Sequence, residues 1–401
     1  MNQAKTSAPT AAGSASSSAA DAKGARQPRR TLWFSIVERY YALRDRILAS
    51  ARFQRWAAGF PLTRWMAAKR ASQLFDICAG FVYSQVLYAC VRIGVFERLA
   101  FGPLELVELA RGAQMTPAQM RRLLDAAVSL GLLQRRGSER YGLGMLGAAL
   151  RGNPGVISMI EHHPMLYRDL EDPVRLLQGR HGKTELGQFW AYSSSQAPGT
   201  LAGEKVAEYS RLMAESQQFI AGDVLEAYDF SRHRRLMDVG GGEGAFLHEA
   251  SKRNEDLSLM LFDLPAVAER ARERLSPLGD RVSVVGGDLF SDRLPEGADA
   301  ISLVRIVHDH DDGAAMAILR AVHRALPPGG TLILAEPMAG TRGALPMGDA
   351  YFGFYLLAMG HGRPRTPEEL TQMLENAGFE RPKQVRTRRP MLTQLIVARR
   401  A

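Results

Sequence analysis

The chain has 401 residues, 46% of them hydrophobic, which is long and apolar enough for two domains with buried cores. Its two cysteines, Cys78 and Cys90, are too few for a disulfide framework and are typical of a reduced intracellular protein. The net charge is +9, but residues 1–70 hold 13 basic and three acidic side chains, whereas the remaining 331 residues hold 38 basic and 39 acidic ones. A near-neutral body with a basic N-terminal segment argues against a body that grips nucleic acid.

The first 30 residues are rich in alanine and serine and contain almost nothing apolar to bury. This composition predicts a disordered tail over 1–30. The tail has basic residues but no apolar core of a secretory signal, so we expect a cytoplasmic protein.

The composition changes sharply at residue 31, and residues 31–71 read as a basic amphipathic extension. A stripe of five apolar residues recurs there at helical spacing: Trp33, Ile36, Tyr40, Leu43 and Ile47. An aromatic and basic helix of this kind suits the surface of an anionic membrane. Packing against the protein's own body or against a partner subunit is the alternative, and the sequence leaves both open.

Residues 72–204 read as a helical domain that contains a winged helix. The apolar run at 79–96 is interrupted by polar residues, which favours a buried helix over a membrane span. Farther on, Thr116 and Pro117 fit the start of a helix, and Gly137-Ser138 fits the turn of a following hairpin. A winged helix could bind DNA through Arg121 and Arg122, or serve as a dimerisation or lid module. Two arginines on a neutral body are weak support for DNA, so no nucleic acid is expected.

From residue 205 to 401 strands alternate with helices, the pattern of a doubly wound, Rossmann-like α/β sheet. The first strand ends at Val239, where the stretch "DVGGGEGAF" turns into a helix. Glycines at such a turn, including Gly240 and Gly242, let the backbone approach a ligand, and a helix start offers free N–H groups.

Three carboxylates near strand ends indicate which ligand this turn could bind. Asp263 ends the second strand, where it can accept the two ribose hydroxyls of a nucleoside, and Asp288 follows the third strand, where it could meet an adenine amino group. Each could instead form a local turn or helix cap. The glycine spacing lacks the dinucleotide fingerprint, and Asp238 could meet an ammonium group, so S-adenosylmethionine is favoured over a nicotinamide cofactor.

The stretch "IVHDHDD" at 306–312 could hold a metal ion, a single catalytic base, or no chemistry at all. His308 and His310, two apart at a strand end, would tend to point in different directions, and no cysteine lies nearby in sequence. We therefore expect no metal, a base at His308 and, at His310, Asp311 and Asp312, the start of the next helix.

The ordered motifs "DVGGGEG", "LFDLP", "GGDLF", "HDHDD", "LPPGGTLILAEP" and "GRPRTPEELTQMLENAGF" resemble those of class I small-molecule O-methyltransferases. The resemblance runs from about residue 72 to the end of the chain. Three stretches, "SLVRIVHDHDD", "LAEPMAG" and "GDAYFGFYLLAMGHGRPRT", are more specific: they resemble the hydroxyneurosporene/demethylspheroidene type, which methylates the C1 hydroxyl of acyclic carotenoids.

This resemblance implies an S-adenosylmethionine-dependent enzyme with an N-terminal winged-helix dimerisation domain, and hence a homodimer. It implies that His308 is the general base, that Glu336 orients its imidazole, that Asp263 binds ribose and that Asp288 and Leu289 flank adenine. Two positions depart from the plant enzymes of the class. Pro364 replaces a second supporting glutamate, and Val304, followed by Arg305, replaces a lysine near the cofactor, so Arg305 becomes the candidate there.

Two further expectations concern the acceptor and its alternatives. The apolar segment 349–362 could line a tunnel for a polyene, although most of its side chains are expected in the core. The same fold could instead methylate a polyketide or quinone phenol. A regulator that senses S-adenosylmethionine and binds DNA through its winged helix is the contrasting class.

Overall fold

The computed structural model describes residues 32–190, 217 and 220–401. The tail predicted at 1–30, the polar loop at 192–200 and the nearby Met213 and Ser216 lie outside these residues. Two compact units meet between Phe81 and Val82, within the third helix, and each is described by itself. The predicted boundaries of the N-terminal extension and the two domains stay predictions.

The described part of the first unit is helical. Its helices are α1 (Leu32–Ala49), α2 (Ala51–Gly59) and the first part of α3 (Arg64–Arg92). The predicted amphipathic helix is therefore present as α1. Its apolar residues Ile36, Tyr40, Leu43 and Ile47 are all exposed.

The helix α3 differs from the sequence expectation. The run at 79–96 was predicted to be a buried helix, but Phe81 is 72% exposed and within α3 only Cys90 and Val91 are buried. By length and composition alone, α3 could cross a membrane. The apolar run is needed for something other than packing within the described single chain, and local composition could not reveal this.

The second unit begins with small helices and a three-stranded sheet. The helices are α4 (Val95–Arg98), α5 (Leu106–Gly112), α6 (Pro117–Ser129), α7 (Met145–Arg151), α8 (Pro154–Asp169), α9 (Pro173–Leu177) and α10 (Glu185–Phe189). The strands β1 (Leu104–Glu105), β2 (Leu133–Arg135) and β3 (Arg140–Leu143) pair in the order β1-β3-β2. Thr116 caps α6 as predicted, with Gln119 completing a capping box. Arg121, the candidate DNA contact, is paired with Glu139 at 2.6 Å.

The large sheet has seven strands, in the order β6-β5-β4-β7-β8-β10-β9. These are β4 (Arg235–Val239), β5 (Ser258–Asp263), β6 (Val282–Gly286), β7 (Ala300–Val304), β8 (Thr331–Glu336), β9 (Phe379–Val385) and β10 (Gln394–Arg400). The first five are parallel, and β10 is antiparallel to both of its neighbours. The predicted α/β fold is confirmed, with each predicted strand present.

Alternating residues of these strands enter two separate apolar cores, one on each face of the sheet. Met237 and Val239 pack in one core, whereas Leu236 packs in the other. The covering helices are α11 (Ala245–Arg253), α12 (Pro265–Leu275), α13 (Asp312–Ala325) and α15 (Pro367–Asn376). The apolar segment forms a π-helix, Pro346–Phe352, that continues into α14 (Gly353–Met359). Most of its side chains are buried or half-buried, as the sequence predicted.

Candidate functional site

The candidate residues follow the carboxyl ends of five adjacent parallel strands. In such a sheet ligands bind beyond these ends, beside the strand at which the chain order reverses. Here that strand is β4, because β5 pairs on one side of it and β7 on the other.

The glycine turn after β4 needs glycine for both backbone and space. Gly240, Gly242 and Gly244 have φ values of 71°, 59° and 80°, in the left-handed region that glycine favours. A Cβ at Gly240 would lie 2.5 Å from Cδ1 of Ile306, whereas one at Gly242 would meet nothing within 4 Å. The turn is therefore packed against the loop after β7 at its first glycine and open at its second.

Asp238 lies beneath this turn with a carboxylate oxygen that lacks a partner. The residue is 1% exposed, and its Oδ1 accepts a hydrogen bond of 2.6 Å from the Ser302 hydroxyl. Its Oδ2 is buried and has no hydrogen-bond partner among the described residues. Burial raises the pKa of Asp238 to about 7, and the nearby charge of Asp263 adds to this. A buried, half-satisfied carboxylate suits a cationic ligand group, such as the ammonium group of S-adenosylmethionine.

Asp263 links the end of β5 to the glycine turn. Its Oδ2 accepts a 2.7 Å hydrogen bond from the Gly242 backbone N–H, and its Oδ1 accepts one of 2.7 Å from Leu264. Burial raises its pKa to about 6 against these two bonds. A carboxylate offers about four acceptor positions. Two therefore remain for hydroxyl groups, which fits the ribose contact expected from the sequence.

Asp288 and Leu289 follow β6 and are both half-buried. The Asp288 carboxylate accepts a 2.8 Å hydrogen bond from the Phe290 backbone N–H, so it forms the local turn that the sequence gave as the alternative. Its second oxygen leaves room for a ligand contact. Leu289 packs against the core beneath it.

His308 and Glu336 are brought together at the ends of β7 and β8. The two residues are 4% and 1% exposed, and Nδ1 of His308 is hydrogen-bonded to Oε2 of Glu336. The other oxygen, Oε1, accepts backbone N–H bonds of 3.1 and 2.7 Å from Ile306 and Val307. One buried carboxylate thus fixes the imidazole and the loop that carries it.

The second ring nitrogen of His308 also faces a carboxylate. Its Nε2 lies 3.1 Å from Oδ1 of Asp309, a residue for which sequence reasoning gave at most a local role. Burial by itself lowers the pKa of His308, but Asp309 and Glu336 outweigh it, and the net shift is upward. The imidazole is therefore a stronger base than a free histidine.

Arg305 lies on the same side as His308. Its guanidinium carbon lies 5.8 Å from the centre of the Phe352 ring, and that ring is 6.1 Å from the imidazole of His308. Arg305 has a left-handed φ of 59°, and its Nε is buried without a partner among the described residues. Such strain in a non-glycine residue is typical of functional sites. The sequence placed Arg305 near the cofactor; here its contact with Phe352 joins it to the imidazole.

A loop at 361–366 fastens the base loop from outside, and sequence reasoning missed its main residue. Arg365 is 2% exposed and donates to the backbone oxygens of Val307 and His310 at 2.8 and 2.7 Å. It also binds the Asp312 carboxylate at 2.8 Å. The signal was present in "GRPRT", because a buried arginine next to a loop needs several acceptors.

The remaining residues of "IVHDHDD" lie apart from the imidazole of His308. The His310 ring packs edge-on against Phe290, Asp311 accepts a bond from the Gly362 backbone, and α13 begins at Asp312. Among the described ranges, no group of three or more histidine, cysteine or acidic side chains is arranged to hold a metal ion.

The comparisons with known proteins agree on one family. The family described as "O-methyltransferase domain" matches residues 167–380, and the "O-methyltransferase dimerisation domain" matches residues 75–151. The chain is 44% identical over 357 residues to demethylspheroidene O-methyltransferase of Cereibacter sphaeroides, covering 88% of this chain and 93% of the relative. It is 33% identical to acetylserotonin O-methyltransferase of Mus musculus, over 79% of this chain and 85% of the relative.

Solved structures give the same result. Human N-acetylserotonin methyltransferase in complex with SAM superposes with a TM-score of 0.69 at 26% identity, covering 83% of this chain and 98% of that one. The SAH-bound form of CalO1, a methyltransferase in calicheamicin biosynthesis, gives a TM-score of 0.68 at 25% identity, with 83% and 99% covered.

Proposed function

The chain belongs to the O-methyltransferase family, and we propose from this premise that it methylates the C1 hydroxyl of an acyclic hydroxycarotenoid, with S-adenosylmethionine as donor. The observation that carries the proposal is the buried His308–Glu336 pair at the carboxyl edge of the sheet, in a chain 44% identical to a demethylspheroidene O-methyltransferase.

The donor would be held at the turn after β4. Asp238 would pair with its ammonium group, Asp263 with its ribose hydroxyls, and Asp288 and Leu289 with its adenine. The open space at Gly242 lets the backbone approach the ligand. Arg305 is the fourth side chain that we propose for donor binding, through its unpartnered Nε. When bound, S-adenosylmethionine supplies an electrophilic methyl group.

His308 would take the proton of the acceptor hydroxyl. An alcohol ionises far less readily than a phenol, so it gains more from a base as the new bond to oxygen forms. Glu336 would hold Nδ1–H and stabilise the imidazolium, which leaves Nε2 as the proton acceptor. Because Asp309 lies 3.1 Å from Nε2, the acceptor hydroxyl would enter beside this carboxylate or displace it.

A direct test is product analysis with methyl-labelled S-adenosylmethionine. The purified protein would be given, in parallel, a 1-hydroxycarotenoid, a quinone phenol and a polyketide phenol. We expect label in the ether of the carotenoid and little in the phenols, as seen by mass spectrometry. Efficient methylation of a phenol alone would replace the carotenoid by the aromatic alternative. Sequence-specific, salt-dependent binding to duplex DNA without any transfer would instead indicate a regulator.

The match to the dimerisation domain indicates a homodimer. We also propose that residues 31–70 contact an anionic lipid surface, which would bring the enzyme to an apolar acceptor. Residues before 75 lie outside both family matches. Within this segment Trp56, Leu62 and Trp65 are exposed among eight arginines and lysines of residues 39–70, the combination that suits an anionic interface.

Vesicle sedimentation tests this contact. We expect the full chain to sediment with phosphatidylglycerol vesicles more than with phosphatidylcholine vesicles, and less so in high salt. Deletion of residues 31–70 should reduce sedimentation and leave donor binding intact. Deletion of residues 1–30 is the control. Unchanged sedimentation after the longer deletion would contradict the contact.

A further inference from the structure

Two histidine–tyrosine pairs join α8 to the segment that carries Phe352. His162 and Tyr355 form the inner pair, with 3.0 Å between Nε2 and the hydroxyl, and Trp190 donates to the same hydroxyl at 3.0 Å. His163 and Tyr351 form the outer pair, at 2.9 Å. The inner pair is buried, whereas both members of the outer pair are half-buried.

The outer pair belongs to a row of rings that begins at the proposed base. From His308 the ring centres follow at 6.1 Å to Phe352, 5.2 Å to Tyr351, 5.7 Å to His163 and 5.9 Å to Tyr167. Each neighbouring pair is edge-on or tilted, the preferred geometry of aromatic contacts. The row is thus a continuous surface of rings with the imidazole of His308 at one end.

The outer part of the row presents no unpaired polar group and no charge. The His163 Nε2 and the Tyr351 hydroxyl are bonded to each other. Burial lowers the pKa of His163 and raises that of Tyr351, so both are neutral near pH 7. Paired, neutral rings offer mainly their faces and edges to a ligand, which suits a long apolar molecule.

We propose that Phe352, Tyr351, His163 and Tyr167 form the wall along which the polyene chain of the acceptor lies, with its terminal hydroxyl at His308. The inference rests on the proposed function and adds to it the residues that select a long acceptor. The inner pair, by contrast, fastens the two helices and does not touch the acceptor.

The test compares two acceptors that share the same tertiary-alcohol end, a full-length 1-hydroxycarotenoid and a short terpene alcohol. The measured quantity is the ratio of their kcat/KM values, which is high for the wild type if the wall binds the polyene. Tyr351→Ala and Tyr167→Ala should each lower this ratio by about threefold to tenfold, since an aromatic contact supplies that much. Tyr351→Phe keeps the ring and should keep the ratio within about twofold.

Tyr355→Phe is the matched control, because it removes a hydroxyl from the inner pair on the next turn. It should lower the melting temperature and leave the ratio unchanged. If Tyr351→Ala does not fold, Tyr351→Leu replaces the ring by an aliphatic side chain of useful size. An unchanged ratio in both Tyr351→Leu and Tyr167→Ala would overturn the wall alone. A wild type that methylates neither acceptor would overturn the proposed function, and the wall with it.

Discussion

The two sides of the candidate site treat their buried carboxylates differently. On the donor side, Asp238 has one oxygen bonded to Ser302 and the other without a partner. On the acceptor side, both oxygens of Glu336 are bonded, to two backbone N–H groups and to His308. The donor side thus lacks a cation, whereas the acceptor side is complete before any ligand arrives.

This difference suggests how the site divides its work. A carboxylate left half-satisfied in the interior destabilises the free protein and gains from a cationic ligand. A fully paired carboxylate and imidazole gain little from a ligand, but they hold a proton acceptor in a fixed place. Substitutions on the acceptor side should therefore change the rate of transfer, and those on the donor side should change donor affinity.

The largest effect is expected for His308→Ala. Removing the base should lower kcat by about 10²- to 10⁴-fold, because the proton of an alcohol then has no acceptor in place. Donor affinity, measured by calorimetry, should change little. A kcat close to that of the wild type would mean that positioning alone drives the transfer.

A smaller loss is expected for Glu336→Gln, on the order of 100-fold in kcat. The glutamine can still accept the two backbone bonds, but it no longer places a negative charge on Nδ1. Since Glu336 helps to raise the pKa of His308, the acidic limb of the pH–rate profile should move to lower pH in the variant. A limb that stays in place, or moves to higher pH, would separate Glu336 from the base.

The donor side should respond in affinity. Asp238→Asn removes the charge but keeps an acceptor for Ser302, and we expect donor affinity to fall by about 10- to 100-fold. Asp299→Asn is a matched control, because Asp299 bonds the backbone of Arg234 and Arg235 at the other end of the same strand. Equal affinity losses in the two variants would remove Asp238 from the donor site.

The smallest effect is on the stability of the free protein. The folded-state pKa of Asp238 is about 7, above its usual value of 3.8, so the folded state holds this proton more tightly than the unfolded state. Its contribution to stability therefore falls as pH rises from about 4 through about 7. Without ligand, Asp238→Asn should gain melting temperature relative to the wild type between pH 5.5 and pH 8. No relative gain, or a loss, would contradict the unsatisfied carboxylate.

Much of the fold was predictable from local sequence. Each strand of the large sheet has an apolar run bounded by turn residues, and Thr116-Pro117 and Thr366-Pro367 mark helix starts that the structure confirms. The α3 helix was not predictable in this way, since its composition is that of a buried helix and only the three-dimensional contacts show it exposed.

The site was predictable where a residue follows a strand end, as Asp238, Asp263, His308 and Glu336 do. Their proximity follows from the parallel sheet, although their roles stay predictions. Arg365 and the pairs of His162 and His163 with Tyr355 and Tyr351 were not predictable, because their partners lie more than 50 residues away in sequence. Only the packing of distant segments brings those groups together.

The measurement that tests the central claim most directly is the kcat of the double variant His308→Ala/Glu336→Gln beside the two single variants. If Glu336 acts through His308, removing both should cost no more than removing His308 alone. The account predicts equal kcat values for the double variant and His308→Ala. Losses that multiply would show two independent contributions and contradict the pair as one unit.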